Sequence, residues 1–235
     1  MKYQVAYIPI GVPTFHLESA QVEFDKSVGL ISSLTEDGVY PDKMLLSMDD
    51  LCAYLDTINP GLIILQNITF ANAAFASEVL KRFTCPVLLW TLREPVIDGG
   101  RLRLNSLTGA FSAGNALRAF RDSEFEYIFG SPEEDEVAGS VKAAIGAARI
   151  KHQMRELKMA SIGHTPQGFG FGRALDSELM RAFGVTLESI EARELIDKAK
   201  SFTDEECAPC LEEARAMMVG LDGTPEKNVK DFARL

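Results

Sequence analysis

The 235-residue sequence is poor in the residues that staple, metallate or anchor a chain. It has four cysteines, Cys52, Cys85, Cys207 and Cys210. That is too few and too scattered for a disulfide framework, and Cys52 and Cys85 sit in apolar segments, where they read as buried free thiols. It has three histidines, none after His164, and neither H-x-x-E-H nor H-E-x-x-H occurs. No G-x-S-x-G elbow and no Ser/His/Asp or Cys/His arrangement supports nucleophilic catalysis. No apolar run approaches the ~18 residues of a membrane span. The first residues, MKYQVAYIPIG, carry one Lys and lack the length and cleavage site of a signal peptide. Positive charge is in deficit: the formal net charge is −10. A phosphate backbone or an anionic membrane would be repelled. The expectation is a cytoplasmic protein with no nucleic-acid and no membrane partner.

What is present is a globular composition, 46% hydrophobic and 25% charged, long enough to bury a core without staples. Short apolar runs alternate with helical patterns. Strands are expected at Tyr3–Ile10, Asp42–Ser47, Gly61–Gln66, Pro86–Thr91, Tyr127–Phe129, Met159–Ile162 and Val185–Ile190. Helices are expected at 19–34, with Val22, Val28, Leu30 and Ile31 buried, and at 49–57, 72–83, 115–121 and 176–183. Ser131-Pro132-Glu133-Glu134 should open a long helix at 132–157. This alternation predicts an α/β fold: a doubly wound parallel sheet, Rossmann or flavodoxin-like. A first domain over 1–155 is followed by a second, incomplete α/β unit over 156–235, with room for two strands and two helices.

In such sheets ligands bind beyond the carboxyl ends of the strands, so the post-strand loops carry the candidates. They hold His16, His164, Gln66, Asn67, Asn72, Arg93, Glu94, Arg101, Arg103 and Asn105. These groups suit a polyhydroxylated or anionic small molecule, although solvation alone also makes loops polar. Gly163-x4-Gly168 has phosphate-loop spacing, but Phe169 and Gly170 stand where Lys and Ser/Thr are required. Gly168-Phe-Gly170 begins like a dinucleotide fingerprint, and Arg173 stands at its third glycine. Cys207-Ala-Pro-Cys210 follows a capping box, Thr203-x-x-Glu206, which puts the pair in the first turns of a helix. It reads as half a zinc site, a redox dithiol, or two incidental cysteines. His152, amid Arg149, Lys151 and Arg155, reads as solvated.

The ordered set GLIILQN, PVLLWTLREP, GGRLRLNSLTGA, the strand at Tyr127–Gly130, the long helix and MASIGHTPQGFGFG resembles the L-fucose/L-arabinose isomerase family. The resemblance implies aldose–ketose isomerisation of a sugar through an enediol, with a divalent metal, commonly Mn²⁺, holding the two oxygens. It implies a homo-oligomer in which first-domain loops face a neighbour's sugar site. By position it implies substrate contacts at His16, Trp90, Asn105, Ser106 and Gly109. Trp90 reads equally as core packing within PVLLWT. The family's metal ligands find no counterpart in this sequence, so no catalytic or metal residue is assigned. The chain is expected to be the N-terminal portion of such an enzyme, inactive alone. The rival expectation is a sugar- or small-molecule-binding α/β module without chemistry.

Overall fold

The computed structural model describes residues 3–120 and 125–235. The chain divides into two compact units, Met1–His152 and Gln153–Leu235. In the first, strands β1 (Val5–Ile10), β2 (Gly38–Val39), β3 (Leu62–Asn67), β4 (Val87–Thr91) and β5 (Glu126–Phe129) form one sheet. Its order is β2-β1-β3-β4-β5 and every pairing is parallel. The helices are α1 (Leu17–Leu34), α2 (Met48–Leu55), α3 (Ala73–Arg82), α4 (Ser106–Phe120) and α5 (Asp135–Met154). This is the parallel α/β fold that the alternating pattern implies.

The apolar strands build two cores because successive side chains leave a strand on opposite faces. Val5, Tyr7, Leu62, Ile64, Leu88 and Trp90 meet α1 and α5 on one face. Ile8, Ile63, Leu65, Val87 and Leu89 meet α2, α3 and α4 on the other. Strands covered on both sides have no polar face to show, which is why β1, β3 and β4 are continuous apolar runs. A few polar groups are buried among them. The Tyr7 hydroxyl donates to Gln66 Oε1 at 2.5 Å, and Gln66 Nε2 donates to Ser27 Oγ at 3.0 Å. Burial pushes the Tyr7 phenol well above its ordinary range.

Several local expectations are corrected. Helix α1 turns Ala20, Phe24, Ser27 and Ile31 inward, and Val22 is 51% exposed. Positions 20, 24, 27 and 31 share one helical face, and two residues on from Ala20 the helix points away from it. Asp42–Ser47 is not a strand. The edge strand is Gly38–Val39, and beyond it only Leu45 bridges to Ile10. Pro41 lies between these pieces and has no N–H to give to a ladder. Helix α4 begins at Ser106 rather than 115; the predicted end at Arg121 lies outside the described residues. Helix α5 begins at Asp135, because Ser131–Glu134 closes a turn of its own through Glu134 N–H to Ser131 O at 3.0 Å. Cys52 and Cys85 are half-buried rather than buried. His152 is half-buried beside the Tyr3 ring, with centroids 5.2 Å apart.

The second unit pairs β6 (Lys158–Ile162) with β7 (Thr186–Ile190) in parallel. It carries four helices rather than two: α6 (Asp176–Phe183), α7 (Ala192–Ser201), α8 (Asp204–Met217) and α9 (Glu226–Arg234). Gly184 ends α6 at φ +74, the left-handed conformation that glycine adopts without steric cost. The Thr203/Glu206 capping box opens α8 as expected. Asp204 accepts from Lys230 at 3.2 Å and pairs with Arg234, which ties α8 to α9. Cys207 is buried and Cys210 exposed, and both are free. The glycine loop makes a 3-10 turn at Gly170–Gly172 before α6 starts at Asp176, so its glycines do not open directly onto a helix as a dinucleotide fingerprint requires. Among the described residues no helix is long and apolar enough to cross a membrane.

The central strand supplies a stability test. Ile64 is fully buried in β3 beneath α1 and α5. Ile64→Ala is expected to cost about 2–5 kcal/mol, read as a lower denaturant midpoint with an unchanged slope.

Candidate functional site

Every strand of the first sheet is parallel, so all its carboxyl ends open on one edge. The chain order reverses between β1 and β3, and in open α/β sheets that switch point leaves a crevice between the two post-strand loops. Here the loop after β4 lies across it. Arg103 O accepts the His16 N–H at 3.0 Å, and Leu104 O accepts the Phe70 N–H at 2.9 Å. One strand of loop thus pairs with the post-β1 loop at His16 and the post-β3 loop at Phe70.

That crossing segment is held from within. The Glu94 carboxylate accepts from Arg103 N (3.0 Å), Leu104 N (3.2 Å) and Asn105 N (2.5 Å). Three consecutive backbone donors converge on one side chain, much as they would on a bound anion. Asn105 follows at φ +51, a conformation Asn tolerates better than most residues. Its Oδ1 accepts from the Thr108 hydroxyl at 2.7 Å as α4 begins. The Ser106 hydroxyl is fully buried. It donates to Asn67 O and accepts the Leu92 N–H at 2.8 Å, joining the ends of β3 and β4 to the start of α4. Gly109 completes the seat: a Cβ there would lie 2.4 Å from Asn67 Nδ2. The residues from Asn105 to Gly109 are therefore the junction and first turn of α4.

Asn67 itself is anomalous. Its side chain is fully buried, and neither Oδ1 nor Nδ2 has a hydrogen-bond partner. An amide left in this state costs on the order of 1–3 kcal/mol.

The five residues singled out in the sequence fall into two places. His16, Asn105, Ser106 and Gly109 are linked through the crossing loop and the start of α4. His16 caps α1, with Nδ1 3.2 Å from Ser19 N and 2.9 Å from Ser19 Oγ, and its side chain is 41% exposed. Trp90 lies apart from them. It is fully buried on the α1/α5 face, and its indole N–H donates to Gly130 O at 3.0 Å. Gly109 contacts Asn67 from the opposite face, the one covered by α4. The roles of two contributors were not legible. Glu94 stood among the polar loop candidates, but no local spacing marks a carboxylate that folds back onto the chain nine residues later. Thr69, which accepts the Val12 N–H at 2.9 Å and bolts the post-β3 loop to the post-β1 loop, carries no motif.

Electrostatically the rim is ordered by pairs. Arg93 grips Glu134 in a two-pronged contact (2.9 and 2.8 Å) and stacks over Phe129, 4.8 Å from the ring centroid. Arg93 and then the Ser131 N–H, at 2.7 Å, hold Glu134 well below the usual carboxylate range, at about 2. Lys26 bridges Glu23 on α1 and Glu133 in the post-β5 loop. Burial raises the Glu23 carboxyl despite Lys26. Arg101 lies over Phe15 at 5.0 Å, and the Phe15 ring meets Phe70 at 6.2 Å. Among the described residues no group of three or more His, Cys, Asp or Glu side chains is arranged to hold a metal ion.

No family model matches the chain. It is 63% identical over 234 residues to a sulfoquinovose isomerase of Clostridium sp. (strain MSTE9), covering 100% of this chain and 52% of that protein. It is 34% identical over 233 residues to a sulfoquinovose isomerase of Priestia aryabhattai and 30% identical over 232 to one of Alkalicoccus urumqiensis, covering 98% of this chain and 52% of each relative. The chain spans about half the length of the curated relatives it matches. These relatives are isomerases by name, which agrees with the isomerase reaction that the sequence resemblance implies.

Two measurements test this geometry. Ser106→Ala strands the buried Leu92 N–H, and the expected loss is about 1–3 kcal/mol in denaturant unfolding. Glu134 has a depressed folded-state pKa, so its contribution to stability is present above its ordinary 4.5 and fades as pH falls toward about 2. Arg93→Gln should move the Glu134 carboxyl midpoint, followed by carbon-detected NMR, upward toward 4.5. An unmoved midpoint would show that Arg93 is not the cause.

Proposed function

We propose that this chain is the sugar-recognising α/β portion of an aldose–ketose isomerase whose substrate is a sulfonated hexose of the sulfoquinovose type. The observation that carries the reading is the 63% identity over 234 residues, the whole of this chain, to a sulfoquinovose isomerase. Sulfoquinovose is a hexose with a sulfonate in place of its terminal hydroxyl, so a protein that takes it must bind hydroxyl groups and one permanent anion. The loops around the β1/β3 crevice offer both kinds of partner.

Aldose–ketose isomerisation moves a proton from C2 to C1 of the open-chain sugar while the carbonyl passes from C1 to C2, by way of an enediol. On this reading the described residues bind and orient the sugar rather than move that proton. His16 and Asn105 present polar edges at the rim. Ser106 and Gly109 fix the start of α4, and Trp90 holds Gly130 from below. The divalent metal that the sequence resemblance implies, commonly Mn²⁺, would polarise the sugar oxygens. The described residues supply no three-ligand group for it, and no step is assigned to it on this chain. A homo-oligomer in the cytoplasm, with the first-unit loops facing a neighbour's sugar, belongs to the same proposal.

The product of the complete gene, purified and given Mn²⁺ and sulfoquinovose in D₂O, is expected to form the corresponding ketose, with solvent deuterium entering at C1, followed by proton NMR. Conversion of L-fucose or L-arabinose with no turnover of sulfoquinovose would overturn the substrate assignment. Binding of sulfoquinovose without conversion would favour the non-catalytic sugar-binding module.

A further inference from the structure

A sulfonate has three equivalent oxygens and one charge that is never neutralised near neutral pH, so its site needs donors that are always cationic or always N–H. In a chain of net charge −10 that attraction has to be local. The acidic groups of the post-β4 and post-β5 loops are already engaged. Glu94 is saturated by three backbone N–H groups, Glu134 by Arg93 and Ser131, and Asp98 accepts the Gly100 N–H at 2.9 Å. The cations of the crossing loop are not engaged in the same way. Among the described residues, neither Arg101 nor Arg103 makes a salt bridge, while Arg93 beside them does. Arg101 has its guanidinium over the Phe15 ring, which leaves the N–H edges free to donate.

Position and rigidity agree with this charge balance. Arg103 contributes the carbonyl that receives His16 N–H and the N–H that binds Glu94, so its backbone is fixed at both ends of the peptide. Arg101 rests on Phe15, the residue next to His16. The Arg101 guanidinium and the Arg103 backbone are therefore both set against residues 15–16, at the mouth of the crevice where an open α/β sheet takes its ligand. A pre-fixed guanidinium can meet two oxygens of a tetrahedral anion with little loss of side-chain freedom.

We propose that Arg101 and Arg103 form the anion subsite of this crevice and bind the sulfonate of the sugar, which makes them the residues that separate a sulfonated hexose from its uncharged counterpart. The proposal rests on the reading above that the substrate is a sulfonated hexose.

The test is calorimetric titration of the product of the complete gene with sulfoquinovose and with glucose, for the wild type and for Arg101→Gln, Arg103→Gln, Arg103→Lys and, as an exposed control on α4, Arg118→Gln, each checked for folding by circular dichroism. The wild type is expected to prefer sulfoquinovose. Each glutamine variant should weaken sulfoquinovose about tenfold or more, as loss of a charged hydrogen bond does, and leave glucose unchanged. Arg103→Lys should recover part of the loss, and Arg118→Gln should change nothing. A wild type that prefers sulfoquinovose while both glutamine variants retain full affinity would overturn the subsite and leave the function standing. Equal binding of the two sugars by the wild type would overturn the subsite as well. No binding of either sugar, together with no turnover in the isomerisation assay, would overturn the subsite and the function together.

Discussion

The candidate site depends on one carboxylate. Glu94 satisfies three successive backbone N–H groups of the loop that crosses the β1/β3 crevice, and nothing else in that stretch would give those donors regular partners. Loops seldom hold a fixed path without secondary structure, because their polar backbone must be paired or solvated. Here a side chain substitutes for a neighbouring strand. The outward-facing carbonyls of Arg103 and Leu104 are then free to bind His16 and Phe70, so that a single acid indirectly sets the spacing of three loops.

Beneath that loop the sheet contributes a rigid floor, and its two faces serve different ends. On the α1/α5 side, Trp90 and Gln66 sit in register on adjacent strands and direct their polar atoms to Gly130 and Ser27. On the α4 side, Asn67 faces Gly109 with its amide unpaired. The same period-2 alternation that divides the apolar core therefore also separates the polar groups at the strand ends. It accounts for residues that are neighbours in sequence, Gln66 and Asn67, having such different surroundings.

The sheet was legible because strands buried on both faces must be apolar throughout, as GLIILQ and PVLLWT are. Their positions came out within a residue or two. The edge strand was not legible, since Gly38–Val39 makes its few bonds before Pro41 and shows no alternation. Helix α4 was placed nine residues late because its first turn, Ser-Leu-Thr-Gly-Ala, is rich in weak helix formers. Its start is decided instead by tertiary partners, Ser106 on Asn67 and Gly109 against it. At the candidate site, residue types pointed to the post-strand loops, and four of the five candidates lie in one linked network. The part played by Glu94, and the separation of Trp90 from Gly109 by the thickness of the sheet, depend on contacts between distant segments that no local pattern encodes.

The missing side chain at Gly109 has a mechanical meaning. With no Cβ between the helix and the Asn67 amide, α4 and β3 touch without a compressible layer, and Ser106 locks the same helix end to β4 through Leu92. A tightly packed junction transmits displacement instead of absorbing it. The outer face of these same first turns, where Leu107 and Phe111 are exposed, is thereby geared to the post-β4 loop through Ser106 and Leu92.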